Sequence, residues 1–145
     1  MWLNTYSIWE VVSINILFFL TPKAEVAFLE DDYSLRQVLE KMEHYKYSAI
    51  PILNSEGEYI GTLTEGDILW YCRHNDMVAL KWPESLHLTD VPRRNDYDTV
   101  NASSNMEDLL SKALRQNFVP VVDDCGKFIG IITRSDIIQY YYDKM

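Results

Sequence analysis

The chain has 145 residues, room for one compact domain or a closely fused pair of half-domains. Thirteen basic against twenty-two acidic residues leave a net charge of −9, which argues against a general DNA or RNA binder relying on phosphate neutralisation. An apolar content of 48% supplies a real core and excludes a disordered chain.

In chain order, the first feature is the stretch Ile14 to Leu20, apolar apart from Asn15. It is shorter than the roughly 20 apolar residues a spanning helix needs, and no basic residue precedes it as in a signal peptide. It reads as an amphipathic or core-packing arm at the end of an N-terminal extension, residues 1–15, and not as a membrane anchor. A cytoplasmic location is expected. Cys72 and Cys125 cannot form a disulfide framework and suit a reducing compartment.

A brief strand is predicted at Glu25 to Leu29. Leu35, Val38, Leu39 and Met42 follow at i, i+3, i+4 and i+7, the stripe of an amphipathic helix, with Ser34 and Gln37 spaced as a capping box. A short apolar strand, Ala49 to Leu53, then leads through the turn Asn54-Ser55-Glu56-Gly57 into a partner strand, Tyr59 to Leu63. A second helix starts near Thr64. Residues 75–89 read as a linker with a short helix ended at Pro83.

The pattern then recurs. A strand is predicted around Thr99 to Val100, and Met106, Leu109, Leu110 and Ala113 repeat the helical stripe, with Ser104 and Glu107 at capping-box spacing. Strands Phe118 to Val122 and Phe128 to Ile132 flank the turn Asp123-Asp124-Cys125-Gly126, and a helix starts near Thr133. Pro51 and Pro120, Gly57 and Gly126, Gly61 and Gly130, Thr64 and Thr133, and Asp67 and Asp136 are each 69 residues apart. Two copies are too few for a solenoid but suit a pseudo-symmetric pair. The fold class is α+β with an α/β-like order: two βαββα repeats, at 16–74 and 90–145, packed through their sheets.

Thr64 and Thr133 each sit where a strand turns into a helix. A helix N-terminus offers unpaired N–H groups and partial positive charge, and so suits phosphate. Three residues on, Asp67 or Asp136 lies in the first helical turn, where a carboxylate can accept both hydroxyls of a ribose diol. The competing reading is that Thr and Asp merely cap the helix.

Gly130-Ile131-Ile132-Thr133-Arg134-Ser135-Asp136-Ile137 and Gly61-Thr62-Leu63-Thr64-Glu65-Gly66-Asp67-Ile68, each preceded by a hydrophobic-Pro pair, resemble a tandem pair of cystathionine-beta-synthase-type (CBS) repeats, the Bateman module. The resemblance covers Phe19 to the C-terminus and implies clefts that take their start segment and hydrophobic-Pro strand from one repeat and their Thr…Asp helix from the other. The preferred cleft then combines Lys23, Ala24, Val26, Tyr47, Ser48, Ala49, Ile50 and Pro51 with Thr133, Arg134, Ser135 and Asp136. In it Lys23 and Arg134 meet phosphate, while Val26 and Ile50 sandwich adenine. The weaker cleft combines Arg93, Arg94, Asn117, Phe118, Val119 and Pro120 with Thr64 and Asp67. There Glu65 replaces Arg134 beside the phosphate, and the ring of Phe118 stands where the first cleft has Ala49.

The resemblance implies a regulatory, non-enzymatic module that senses an adenosine nucleotide (AMP, ADP, ATP or cyclic di-AMP) as a ligand rather than a cofactor. It further implies a homodimer that signals to an effector protein, with no nucleic acid or membrane partner. The alternative is a structural interaction or dimerisation module with vestigial clefts. His44, His74 and His87 share no ligand spacing with one another or with the cysteines, so no metal site is expected. No complete nucleophile, base or metal set points to catalysis.

Overall fold

A computed structural model describes residues 14–77, 82–94 and 96–145. Their elements run β1 (Thr21–Pro22), β2 (Leu29–Glu30), α1 (Leu35–Tyr45), β3 (Ala49–Leu53), β4 (Tyr59–Thr64), α2 (Glu65–His74), β5 (Val100–Asn101), α3 (Met106–Ala113), β6 (Phe118–Val122), β7 (Phe128–Thr133) and α4 (Arg134–Asp143). Each repeat carries the βαββα order. The described residues divide into two compact units: those within 27–97 form one, and 14–26 join 98–145 in the other.

In the unit of residues 27–97, the sheet order is β2-β3-β4, with β2 parallel and β4 antiparallel to β3. The stripe of α1 buries Leu35, Val38 and Met42 against Ile50, Ile52 and Leu63 of the sheet and Ile68 of α2. Ser34 and Gln37 make the expected reciprocal capping box, satisfying two N–H groups at the start of α1. Trp82, Leu86 and Leu88 from the linker, with Val91 just after it, complete this core.

In the other unit, the sheet order is β1-β7-β6-β5, with β5 parallel to β6 and the remaining pairs antiparallel. Met106, Leu109 and Ala113 of α3 pack on Val119, Val121 and Ile132, joined by Ile137 of α4. The segment Ile16–Phe19 forms a short 3-10 helix whose Ile16 and Phe19 enter this core while Leu17 and Phe18 stay exposed. Among the described residues no helix is long and apolar enough to cross a membrane.

The two hairpins turn alike. Asn54 Oδ1 accepts from the N–H groups of Glu56 and Glu58, and Asp123 Oδ1 from those of Cys125 and Lys127. These Asx turns are followed or spanned by Gly57 and Gly126 at φ 78° and 80°, a left-handed conformation in which glycine meets no Cβ clash.

Three local expectations are corrected. The strand expected over Glu25 to Leu29 is a 3-10 turn at Lys23–Glu25 followed by β2, because the chain leaves the edge of one sheet after Pro22 and joins the other at Leu29. The strand expected around Thr99 to Val100 begins at Val100. At α3 the cap is Asn105, which accepts from Asp108 N–H, while Ser104 Oγ accepts from Asn101 N–H in the preceding turn. The short helix expected in the linker and ended at Pro83 falls on a stretch that includes residues 78–81, outside the described residues; Leu88–Asp90 is a 3-10 turn.

Candidate functional site

Each Thr…Asp motif closes a strand and opens a helix within its own unit. At α4, Thr133 is the N-cap and its Oγ1 accepts from Asp136 N–H at 3.1 Å. Arg134 N–H donates to Asn117 C=O at 2.9 Å, fixing the helix start on β6. The Arg134 guanidinium makes one long bond, 3.4 Å, to Ala113 C=O at the end of α3, and otherwise lies exposed with Ser135. The Asp136 carboxylate is exposed and accepts no hydrogen bond and forms no ion pair among the described residues. Thr21 and Pro22 pair with Ile131 and Gly130, so the segment leading to Lys23 and Ala24 runs beside the strand that ends at Thr133.

At α2 the same residue types are arranged differently. Thr64 and Asp67 form a reciprocal capping box: Thr64 Oγ1 accepts from Asp67 N–H at 3.1 Å, and Asp67 Oδ2 accepts from Thr64 N–H at 3.0 Å. Asp67 Oδ1 accepts from Arg94 N–H at 3.1 Å, and the residue is 3% exposed. Arg93 Nε donates to Asp96 Oδ1 at 2.7 Å, and its Nη2 to Ile60 C=O at 3.3 Å. The Arg94 guanidinium lies 5.0 Å from the ring centroid of Trp70, a cation–π contact.

Thr62, the departure from the motif's hydrophobic position, is fully buried and shares a 2.6 Å hydrogen bond with the Tyr59 hydroxyl, which also bonds Tyr97 C=O. Burial, the largest cause, pushes the Tyr59 phenol up to about 12. The folded protein therefore holds this proton above pH 10, where the unfolded chain releases it. Stability present below pH 10 falls as the pH rises toward 12, at about 1.4 kcal/mol per pH unit while both conditions hold. In Tyr59→Phe that part of the decline should vanish. Urea unfolding of both proteins at pH 9 and 11 checks it, and equal declines would contradict it.

The CBS domain profile matches residues 19–74 and 88–143. The chain belongs to the CBS domain family. Among its relatives is the uncharacterized protein MJ1426 of Methanocaldococcus jannaschii, 28% identical over 137 residues, a match covering 75% of this chain and 82% of that one. The inosine-5'-monophosphate dehydrogenase of the same organism is 28% identical over 119 residues, and the match spans 79% of this chain but 21% of the enzyme. A CBS domain protein from Streptococcus pneumoniae TIGR4 superposes with a TM-score of 0.80 at 25% identity, covering 97% of each chain. The Listeria monocytogenes CbpB protein, solved in complex with c-di-AMP, gives a TM-score of 0.74 at 22% identity, covering 90% of this chain and 97% of that one. CBSX2, solved in complex with AMP, gives 0.71 at 21%, covering 90% and 98%; CBSX2 of Arabidopsis thaliana is a chloroplastic CBS domain-containing protein.

Within this CBS pair several residues fall differently from expectation. Ile50 is fully buried in the helical core of its unit, so it is not available as a wall for adenine; β-strand alternation gives Ala49 and Pro51 to the other face. Val119 is likewise a core residue, whereas Phe118 and Pro120 share the opposite face of β6. Val26 is 7% exposed. Tyr47 is half-buried against the helical core, lining an apolar groove with Met42, Ile68, Cys72 and Trp82, while Ser48 is exposed and its carbonyl accepts from Glu65 N–H. Arg93 is committed to Asp96, and the Arg94 side chain turns to Trp70, so neither lies idle for a phosphate.

Both carboxylate oxygens of Asp67 are used by its own unit, where it caps α2 and clasps the Arg94 backbone. Asp67→Ala leaves the Thr64 and Arg94 N–H groups without their acceptor and should cost on the order of 2–3 kcal/mol in urea unfolding. A loss within about 0.5 kcal/mol, as at an unencumbered surface position, would contradict this role.

Proposed function

We propose that this CBS pair is a regulatory module that senses an adenosine nucleotide, with the α4 motif as its binding element. The observation that carries the reading is the contrast between the two aspartates. Asp136 presents a carboxylate with no partner among the described residues, one helical turn from Thr133, whereas Asp67 is buried and doubly bonded. A ribose diol donates two hydrogen bonds, which an open carboxylate accepts at no cost in existing bonds. The first N–H groups of α4 and the exposed Arg134 and Ser135 supply donors for a phosphate, with Lys23 on the adjoining segment. The fold shared with CBS proteins solved with c-di-AMP and with AMP supports adenine as the base.

Binding would act by favouring one of two states of the module, as a monomer or a homodimer, and so change its affinity for an effector protein. The reading requires no turnover of the nucleotide. The vestigial reading fits the α2 motif, whose Thr64 hydroxyl and Asp67 carboxylate already hold bonds within their own unit.

The test is a thermal-shift panel with AMP, ADP, ATP and cyclic di-AMP. A ligand present at about 100 times its dissociation constant adds about 2.7 kcal/mol and raises the midpoint. No response to any of the four would overturn the sensing reading in favour of a structural interaction module.

A further inference from the structure

We propose that Asp96 determines how many ligands the module takes, by standing in for a ligand's anionic group at the α2 motif. This rests on the nucleotide-sensing reading and adds to it the reason that the second motif stays silent. The sequence pointed to Glu65 and Phe118 as the handicaps of that motif; the structure adds an internal occupant.

Asp96 Oδ1 accepts from Arg93 Nε at 2.7 Å and from Thr62 N–H at 3.2 Å, and Oδ2 lies 3.5 Å from Arg93 Nη2. A carboxylate held by a guanidinium and a backbone N–H is the chemistry by which a protein holds a phosphate or carboxylate ligand. The ion pair sits directly over Gly61: a Cβ built there would lie 2.5 Å from Asp96 Oδ1 and 2.6 Å from Arg93 Nε. The motif's glycine thus makes room for the chain's own ion pair. The segment is held at two further points, by Arg94 N–H on Asp67 and by Tyr97 C=O on the Tyr59 hydroxyl.

The charge balance points the same way. Arg93 and Asp96 neutralise each other, leaving Arg94 against Glu65 and Asp67. With Asp67 buried, Arg94 and Glu65 balance, so an incoming phosphate meets no net positive charge from these groups. At the α4 motif, position 65's counterpart is Arg134, and the Asp136 carboxylate has no internal partner among the described residues.

Asp96→Asn keeps an oxygen for the Thr62 N–H group and removes the charge that holds Arg93. Calorimetry with AMP should then show one binding event in the wild type, two in Asp96→Asn, and one in the double variant Asp96→Asn/Asp136→Ala. The new event should be at least tenfold tighter than any weak second event in the wild type. Asp96→Ser, which retains a hydroxyl acceptor, is the second variant if the first melts early, and the same outcomes apply to it. One event in the wild type and one of equal affinity in both Asp96 variants would overturn this inference alone, as would two equal events in the wild type. The calorimetry is repeated with ADP, ATP and cyclic di-AMP if AMP gives no event, and absence of any event in the wild type with all four marks failure of the sensing reading instead.

Discussion

Asp136→Ala should weaken adenosine-nucleotide binding by at least about 30-fold, roughly 2 kcal/mol, while moving the unfolding free energy by no more than about 0.5 kcal/mol. The binding loss follows from removing a charged acceptor for two ribose hydroxyls. The small stability cost follows from its exposure: the carboxylate takes no hydrogen bond from the described residues, and the helix cap runs through Asp136 N–H and Thr133 Oγ1, which an alanine preserves. Asp67→Ala should show the reverse signature, a clear loss of stability with nucleotide affinity held within about twofold, because its carboxylate serves the fold. Calorimetry and urea unfolding on the two variants separate these outcomes. Equal affinity losses, or a loss confined to Asp67→Ala, would contradict the assignment of the α4 motif as the binding element.

The second large effect is expected at Gly130. This glycine has φ +155°, and a Cβ built on it would collide with Thr21 C=O, with Leu20 Cδ1 at 2.9 Å and Pro22 Cα at 3.1 Å. The obstacle is mainly backbone, so it cannot rotate aside as a flexible side chain would. Gly130→Ala must either break the β1–β7 pairing or shift β7, the strand that delivers Thr133 to the start of α4. A cost on the order of 3 kcal/mol and a midpoint lower by roughly 10 °C are expected. Gly66→Ala is the matched control. Its nearest neighbour would be Thr64 Oγ1 at 3.7 Å, an ordinary contact, and alanine in a helix is neutral or stabilising by up to about 1 kcal/mol. Equal midpoints for wild type and Gly130→Ala would contradict the close approach of Thr21.

The contrast between these glycines shows where the sequence was readable. β3 and β6 were readable to the residue because continuous apolar runs ending in turn residues admit one buried strand each. The stripes of α1 and α3 were readable because their periodicity matches one buried face. The twin Thr…Asp motifs were readable because they recur in register. Local patterning does not encode which sheet a two-residue strand joins, so the pairing of Thr21 and Pro22 with β7 was hidden. Nor does it encode side-chain reach. Asp96 carried no signal in sequence, yet its carboxylate crosses to Thr62, 34 residues earlier. Ile50 was misplaced for a related reason: in a strand buried on both faces, hydrophobicity does not reveal which side chains enter the helical core.

The most direct measurement is the backbone amide NMR spectrum of the chain during titration with AMP. Binding at the α4 motif predicts the largest shifts at Arg134, Ser135 and Asp136, with Glu65, Gly66 and Asp67 close to their starting positions. Shifts centred on residues 65–67, or an unchanged spectrum at saturating AMP and equally at saturating ATP and cyclic di-AMP, would contradict the account.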